Sequence, residues 1–253
     1  MVTIDLNSDM GEYEDQEFLA REAQLMPLIT SVNIACGVHA GNPDLMRRTA
    51  RMAAEQGVAI GAHPGFPGAE DFGRKDRRAS PDEIMALISM QLTRLAEVLA
   101  LDHLALKHVK PHGALYHLAA KEQAAADALI RAVAAFDPRL LLVASAGSVL
   151  VQSARQAGLP VAQEIFADRA YRPDGTLVSR REPGALLQTD EQVRSQLRGV
   201  VKGYVIAIDG RQIPLHADSL CIHLDTPRSL EFARLVREEL TLAGVRVAKP
   251  EKL

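Results

Sequence analysis

The chain has 253 residues, a net charge of −3, 47% hydrophobic side chains and 24% charged side chains. This composition is ordinary for a globular protein and argues against bulk disorder. The slightly acidic balance argues against the basic surface of a nucleic-acid-binding protein, so we expect no nucleic-acid partner. Two cysteines are too few for a disulfide framework or a four-cysteine zinc site.

The chain lacks the sequence features of secretion and membrane insertion. Residues Met1–Asn7 contain neither the basic segment nor the apolar segment of a signal peptide. The apolar runs along the chain are short and interrupted by charge, and none approaches the ~20 residues that span a bilayer. We therefore expect a cytoplasmic protein with reduced thiols and no membrane association.

Short apolar segments alternate with longer helical patterns along the chain. The apolar segments are mostly continuous, which is typical of parallel strands buried on both faces. The predicted strands are Thr3–Asn7, Val32–Ala35, Val58–Ala62, Leu104–Val109, Leu140–Ala144, Val161–Glu164 and Leu220–Leu224. The repeated strand–helix alternation predicts a single parallel α/β domain over residues 1–253, either a doubly wound sheet or a (βα) barrel.

Helix start signals fall between these strands. Asn42–Pro43 combines a capping amide with a proline at the first helical position, and Thr226–Pro227 repeats the pattern. Ser80–Glu83 and Thr189–Gln192 have the spacing of a capping box. The predicted helices are Gln16–Met26, Asp44–Gln56, 81–100, Lys121–Phe136, Ser148–Ala157, a helix after Thr189, and Arg228–Ala243.

Two segments interrupt the alternation. Tyr204–Asp209 and Gln212–Leu215 flank an Asp-Gly pair, which predicts a β-hairpin inserted before the last strand. Residues 169–183 are polar and contain several glycines and prolines, which predicts a long functional loop.

Polar and titratable residues gather where the predicted strands end. The carboxyl ends of the strands line the mouth of an α/β barrel, and six strand ends sharing one rim favour a barrel over an open sheet. The residues are Asn7, Asp9, Glu12, Asn33, Cys36, His39, His63, Lys110, His112, Glu164, Asp168, Arg169, His216, Asp218, His223 and Asp225.

Several of these residues have structural alternatives. Asp9 and Glu12 could cap the following helix, because acids are common at helix starts. His39 and His63 could be core histidines whose ring nitrogens are hydrogen-bonded. Lys110 lies within a predicted buried strand, where a charge needs a partner, so an ion-paired or functional role is favoured over a solvated one.

Two further features leave alternatives open. Cys36 precedes His39 by three residues and could be a nucleophile, although a buried free thiol is the commoner outcome. The run Gly73–Arg78 could be a solvated loop, or Arg74 could bind a phosphate or carboxylate with its planar guanidinium. The sequence has no short metal-ligand spacing, no Walker motif and no dinucleotide fingerprint.

Six blocks, in order and over nearly the whole chain, resemble the LamB/YcsF family. They are Asp5–Glu12, Ser31–Gly41, Gly61–Pro67 with Phe72–Arg74, Val109–Tyr116, Glu164–Tyr171 and His216–His223. The resemblance implies a (βα) barrel of about seven parallel strands, similar to the glycoside hydrolase and polysaccharide deacetylase barrels. It also implies ATP-coupled cleavage of the cyclic amide 5-oxo-L-proline (pyroglutamate) to L-glutamate, with the 5-oxoprolinase subunits B and C as partners.

The sequence departs from the family pattern at three places. Gly68 and Ala69 stand in place of a more polar pair after Phe66–Pro67. Asn42 stands in place of an aspartate and can still cap a helix, so the fold is unaffected there. Leu224 stands in place of a glycine after Cys-x-His, which puts in doubt any role that needs a bare backbone beside His223.

A site for lactam hydrolysis needs a base for water, donors for the oxyanion and a clamp for the substrate carboxylate. The hypothesis assigns Asp9 or Glu164 as the base, acting alone or through a metal-bound water. The candidate catalytic residues are Asp9, Glu12, His39, His63, Lys110, His112 and Glu164. The candidate substrate-binding residues are Asn7, Asn33, Arg74, Asp168, Arg169, Asp218 and His223.

The sequence leaves alternatives open for the cofactors and for the class of function. ATP would be used together with the partner subunits, which agrees with the missing Walker motif, and a divalent metal could bind Asp9, His39 and His63. A metal-dependent deacetylase or amidohydrolase is one alternative function, suggested by fold analogy alone. A non-catalytic subunit that binds a small acid for partner enzymes is the other.

Overall fold

The computed structural model describes residues 2–68, 70–180, 182–226 and 228–249. The strands in these residues, in chain order, are β1 (Thr3–Met10), β2 (Ser31–Ala35), β3 (Ala59–His63), β4 (His108–Val109), β5 (Leu141–Ser145), β6 (Val161–Phe166), β7 (Tyr204–Ile206), β8 (Gln212–Pro214), β9 (Ser219–Cys221) and β10 (Arg246–Val247). The helices are α1 (Gln16–Leu25), α2 (Pro43–Glu55), α3 (Pro81–Ala100), α4 (Gly113–Lys121), α5 (Gln123–Phe136), α6 (Val149–Gln156), α7 (Asp190–Val201) and α8 (Ser229–Leu242).

Seven parallel strands close into a barrel in the order β1-β2-β3-β4-β5-β6-β9. Closure comes from β9, which pairs with β6 on one side and with β1 on the other, from Asp5 opposite Ser219 to Asn7 opposite Cys221. This confirms the predicted (βα) barrel and excludes the doubly wound sheet. The remaining strand β10 pairs in parallel with Thr3 and Ile4 at the start of β1.

Alternation along β1 shows how the barrel separates its polar interior from its apolar outside. Asp5, Asn7 and Asp9 bond to side chains of other barrel strands, so they face inwards. Leu6 and Met10 are fully buried members of the main hydrophobic core, and successive side chains of a strand point to opposite faces. Sequence analysis described the predicted strands as mostly continuous apolar segments. The strand β1 instead alternates between polar and apolar side chains.

The capping signals are confirmed, with one exception. The Asn42 side chain accepts from the backbone of Leu45, and Ser80–Glu83 and Thr189–Gln192 both form capping boxes. Thr226, however, does not cap α8, because its hydroxyl donates to Asp168 instead. Its predicted partner Pro227 lies outside the described residues. The helix begins at Ser229, after Arg228 in the left-handed conformation (φ 66°).

The alternative in which Asp9 and Glu12 cap a helix is wrong. The side chain of Asp15 caps α1. Sequence analysis also missed α4 and β10 and predicted too long a β4. Leu104 belongs to the turn that ends α3, where its N–H donates to the carbonyl of Leu99.

The inserted elements lie where the sequence predicted them. The hairpin is formed by the antiparallel pair β7 and β8. The loop after β6 is pinned by isolated bridges from Arg169 to Leu186 and from Tyr171 to Leu177. No helix among the described residues is both long enough and apolar enough to cross a membrane.

Candidate active site

A cavity of about 1020 Å³ opens at the carboxyl ends of the barrel strands. Its lining includes seven residues that sequence analysis singled out: Asp9, His63, Arg74, Lys110, His112, Arg169 and His223. Segments 70–76 and 172–180, which lie outside the barrel strands, supply other parts of the wall. The strand ends therefore converge on one rim, as the sequence predicted.

Lys110 lies at the floor of this cavity and is only 2% exposed. Its Nζ lies 3.0 Å from Asp9 Oδ1 and 2.9 Å from Glu164 Oε1. It also contacts Asn7 Oδ1 at 3.2 Å and Cys221 Sγ at 3.1 Å. Burial alone would lower the pKa of Lys110, but the two carboxylates outweigh it and hold the pKa well above its ordinary value.

Asp9 joins the lysine to a histidine. Its Oδ1 accepts from Lys110 and from Asn33 Nδ2 (2.8 Å), and its Oδ2 lies 3.3 Å from His63 Nε2. Burial alone would raise the pKa of Asp9, but His63 and Lys110 together hold it well below its usual range. An ionised carboxylate therefore borders the cavity and can accept a proton there.

Glu164 does not reach the cavity. Its Oε1 accepts from Lys110 and from Asn7 Nδ2 (2.9 Å), and its Oε2 accepts from the Tyr116 hydroxyl (2.8 Å). The side chain is fully buried. The hypothesis that Glu164 is the base is therefore corrected: this carboxylate positions Lys110, and Asp9 is the candidate that borders the cavity.

Asn7 and Asn33 lie beneath the cavity floor, inside the barrel. Asn33 Nδ2 donates to Asn7 Oδ1 (2.8 Å), while Asn33 Oδ1 lies 2.9 Å from Nε2 of the buried His108. Asn7 Nδ2 also donates to Ser219 (2.8 Å). Neither amide lines the cavity; both instead order the residues that do line it, so direct binding of substrate by these amides stays an untested prediction.

His223 and Asp168 form a hydrogen-bonded pair on the opposite wall. His223 Nδ1 lies 3.1 Å from Asp168 Oδ2, and the imidazole ring stacks on Phe166 with 5° between the planes. Thr226 also donates to Asp168 (2.7 Å). Burial alone would raise the pKa of Asp168, but His223 and Thr226 lower it to about 2. The Asp168 carboxylate thus holds the His223 ring in place. Of these two residues, only His223 lines the cavity.

Four side chains form what we call the histidine cluster: Glu12, His39, His63 and His112. Their metal-ligand atoms lie within 4.8 Å of one another. His39 stacks flat on His112 at a centroid distance of 3.8 Å, and His63 meets both rings edge-on. A Cβ at Gly65 would lie 2.8 Å from His39 Nδ1, so only glycine fits the loop that passes this cluster.

Two arginines share one carboxylate at the rim. Arg74 and Arg180 contact Asp225 Oδ2 at 3.1 Å and 2.8 Å. The pair leaves a net positive charge beside the cavity, which suits an anionic substrate group. Arg169, by contrast, donates from Nε and Nη2 to the carbonyl oxygens of Ala185 and Val178. These bonds hold the loop after β6, and because Arg169 also lines the cavity, its role in binding substrate stays a prediction.

Asp218 lies at the other end of the barrel. It precedes β9, where its Oδ2 accepts from the backbone of Gln163 (2.8 Å) and its Oδ1 lies 2.9 Å from His216. Its predicted role in substrate binding is wrong. The departure at Leu224 is harmless to the cavity, because this side chain is buried in the core and its carbonyl accepts from Arg21.

The two thiols are buried. Cys36 donates to the carbonyl of Ile34 (3.3 Å), and burial raises its pKa to about 12, so the nucleophile alternative is wrong. Cys221 is also fully buried, and its Sγ contacts Lys110.

Sequence reasoning missed three residues that shape the cavity: Tyr116, Phe166 and Arg180. Tyr116 follows His112 by four residues, so helical spacing from a singled-out histidine could have indicated it. Phe166 follows Glu164 by two residues on one strand face, which is the signal for a shared inward direction. No local pattern marks Arg180, because its position depends on Asp225, 45 residues away.

Comparison with known proteins identifies relatives of this chain. The chain is 48% identical over 248 residues to a 5-oxoprolinase subunit from Symbiobacterium thermophilum, covering 98% of this chain and 95% of that protein. It is 42% identical to a lactam utilization protein from Thermus thermophilus, with a TM-score of 0.87 over 98% of this chain and 99% of that one.

A distant structure shares the fold alone. The Xyl-CE4 domain of a multidomain xylanase from the hindgut metagenome of Trinervitermes trinervoides has 10% identity and a TM-score of 0.50, covering 98% of this chain and 87% of that one. The LamB/YcsF family model, in contrast, matches residues 4–253. This match establishes that the chain belongs to the LamB/YcsF family.

Proposed function

We propose that this chain is the subunit of an ATP-dependent 5-oxoprolinase that holds 5-oxo-L-proline and opens its ring to give L-glutamate. The names of the relatives supply the substrate class. The observation that carries the proposal is the buried ammonium of Lys110, flanked by Asp9 and Glu164 at the floor of a cavity with paired arginines at its rim.

The rim orients the substrate. Arg74 and Arg180 together carry two positive charges against one on Asp225, so a small carboxylate can enter and bind there. Binding the carboxylate at the rim directs the lactam ring towards Asp9 and Lys110.

The floor supplies the base and the positive charge. Asp9 accepts a proton from the attacking water, since Lys110 and His63 keep its carboxylate ionised. Partners that outnumber its three N–H groups already surround Lys110. It therefore stabilises the negative charge on the phosphorylated lactam oxygen by its own charge at short range, in a site from which most water is excluded.

The opposite wall supplies the acid. The ring nitrogen of the lactam must gain a proton as the amide bond breaks, and His223 faces the cavity. Asp168 accepts from Nδ1 and so fixes the ring with Nε2 available for proton transfer. Two proton-transfer groups, Asp9 and His223, thus lie on different walls of one cavity, as addition and leaving-group departure require.

ATP enters this scheme through partner subunits. An unactivated lactam is a poor electrophile, and transfer of a phosphoryl group from ATP to its oxygen makes the ring carbon more reactive. Water then adds to that carbon, the C–N bond breaks with protonation of the nitrogen, and a second water hydrolyses the resulting acyl phosphate to L-glutamate and inorganic phosphate. The chain has no Walker motif. We therefore assign nucleotide chemistry to subunits B and C, and ring opening to this chain.

The test is glutamate release from 5-oxoproline, with and without ATP, by this chain alone and with subunits B and C. We expect release only with ATP and all subunits. His223→Ala should lower turnover by about 10²–10⁴-fold, the range for general acid–base groups. Asp168→Asn should lower turnover and also shift the pH–rate profile, because the imidazolium loses its carboxylate partner. His103→Ala, at an exposed position, is the matched control.

Two outcomes would replace the proposal. ATP-independent hydrolysis of an amide by the isolated chain would favour a metal-dependent amidohydrolase, for which the histidine cluster is the supporting observation. Binding of 5-oxoproline together with full coupled turnover in both His223→Ala and Asp9→Asn would favour a non-catalytic binding subunit.

A further inference from the structure

The histidine cluster has no explanation in the proposed mechanism beyond the contact between His63 and Asp9. Its four side chains are packed beside the cavity, and two of them, His63 and His112, line it. The hydrogen-bond pattern around the rings shows what the cluster can bind.

Backbone carbonyls fix the proton positions on both of these histidines. His63 Nδ1 lies 2.7 Å from the carbonyl oxygen of Lys110, and His112 Nε2 lies 2.8 Å from that of Phe72. A carbonyl oxygen only accepts, so each of these nitrogens carries the hydrogen. In the neutral rings, His63 Nε2 and His112 Nδ1 therefore both present lone pairs, and these two atoms are 3.0 Å apart.

Glu12 adds a negative charge to the same point. Its Oε1 lies 3.7 Å from His112 Nδ1 and 3.4 Å from His39 Nε2. The side chain is 7% exposed, and no lysine or arginine pairs with it among the described residues. His39 Nε2 can donate to this carboxylate, but its negative charge has no ammonium or guanidinium partner, and two ring lone pairs lie close by, so the point favours a cation.

The carbonyl contacts are also those of metal-binding histidines. A ligating histidine usually donates its other ring N–H to a carbonyl or carboxylate, which fixes the ring and its tautomer. Two imidazoles and one carboxylate suit Zn²⁺ and similar first-row ions, whereas Mg²⁺ and Ca²⁺ prefer oxygen ligands.

A second group of metal-ligand side chains, Asp9, Cys221 and His223, is a weaker candidate. Lys110 Nζ lies 3.0 Å from Asp9 Oδ1 and 3.1 Å from Cys221 Sγ, so an ammonium already supplies the positive charge there. The histidine cluster contains no lysine or arginine side chain.

We propose that the histidine cluster binds one divalent first-row transition-metal ion through Glu12, His63 Nε2 and His112 Nδ1. His39 is a positioning residue, because its ring stacks on His112 and its Nε2 faces Glu12. Three protein ligands leave a position open towards the cavity, as in catalytic zinc sites. The proposal that the cluster binds a metal ion depends on this geometry alone. Any part that the ion plays in amide hydrolysis rests on the proposed function.

This ligand set differs from the metal set suggested from sequence, which was Asp9, His39 and His63. Only His63 is common to both. Asp9 is neutralised by Lys110, and His39 lies flat against His112, so the two ring planes cannot both contain one ion.

The experiment uses the full chain, stripped with a chelator and titrated calorimetrically with Zn²⁺, with Co²⁺ absorption as a second readout. We expect one ion per chain and binding at least 100-fold weaker in His63→Ala and His112→Ala. Glu12→Gln keeps the side-chain shape while removing the charge and should also weaken binding. His216→Ala removes an imidazole whose side chain is 68% exposed and should bind like the wild type. Far-UV circular dichroism checks the fold of each variant.

Two results would overturn the proposal: no stoichiometric binding by the wild type, or equal affinity in the wild type and the folded Glu12→Gln and His63→Ala variants. The lone pairs would then be bridged by a proton on His63, shared with Asp9 and His112. The titration needs no ATP and no partner subunit. Loss of the metal site and loss of the proposed reaction are therefore separately detectable.

Discussion

The two ends of the barrel bury similar carboxylates among different partners. At the amino end, the Asp5 side chain accepts hydrogen bonds from Thr30, Ser31 and Ser219. Burial raises the pKa of Asp5 to about 6, and the hydroxyl donors only partly oppose it. At the mouth, His63 and Lys110 overcome the same burial penalty and hold the pKa of Asp9 well below its usual range.

This difference shows that partners, and not burial, decide the charge state of a carboxylate in this barrel. Asp5 and Asp9 lie on the same strand face, four residues apart. Hydroxyl donors are neutral, so they stabilise the amino end without fixing a charge there. A cationic partner fixes the charge, and the mouth therefore holds an ionised carboxylate that can accept a proton.

The largest expected effect comes from removing the cation at the mouth. Lys110→Met should leave Asp9 and Glu164 facing each other without their shared ammonium. Breaking a buried ion pair in this way costs about 3–5 kcal/mol of unfolding free energy, and we expect coupled glutamate release to fall at least 100-fold. Urea unfolding and the coupled assay measure the two effects.

Lys107→Met is the matched control for this prediction, because Lys107 precedes Lys110 by three residues and is exposed. It should change neither quantity. Wild-type turnover in a folded Lys110→Met variant would show that the mouth does not depend on its cation, and the contrast between the two ends would lose its functional meaning.

The amino end gives a smaller effect, visible only as a pH dependence. The folded-state pKa of Asp5 is raised, so its contribution to stability is complete below the unfolded pKa of 3.8 and is lost as the pH rises through about 6. Two pKa units correspond to about 3 kcal/mol. We expect the unfolding free energy of wild type, relative to Asp5→Asn, to fall by that amount between pH 4 and pH 7.

Denaturant titrations of both proteins at several pH values measure this difference. Glu22 is also buried with a raised pKa, about 7, so it contributes a slope of the same sign to both proteins and cancels in the comparison. Parallel pH profiles for the two proteins would show that Asp5 has an ordinary pKa and that its end of the barrel tolerates charge as well as the mouth does.

Sequence alone could predict the barrel, the capping boxes and the need of Lys110 for a partner, because each depends on local spacing or on one general penalty. It could not separate Asp9 from Glu164 as the base. Both are carboxylates on inward strand faces, and only the three-dimensional contact with Tyr116 closes off Glu164. Asp218 was misassigned because His216–His223 spans β9, so one motif has residues at both ends of the barrel.

The smallest expected effect concerns a thiol close to the mouth but turned away from it. Cys36 follows β2 directly, yet it is fully buried, and burial raises its pKa to about 12. At pH 8 the thiolate needed for nucleophilic attack is therefore absent. We expect Cys36→Ala to keep turnover within about twofold of wild type, since other groups carry the chemistry, and disulfide reagents to react with both thiols only after denaturation. Rapid native labelling of Cys36 with parallel loss of activity would contradict this, because it would show that a position near the mouth is enough to make a buried group reactive.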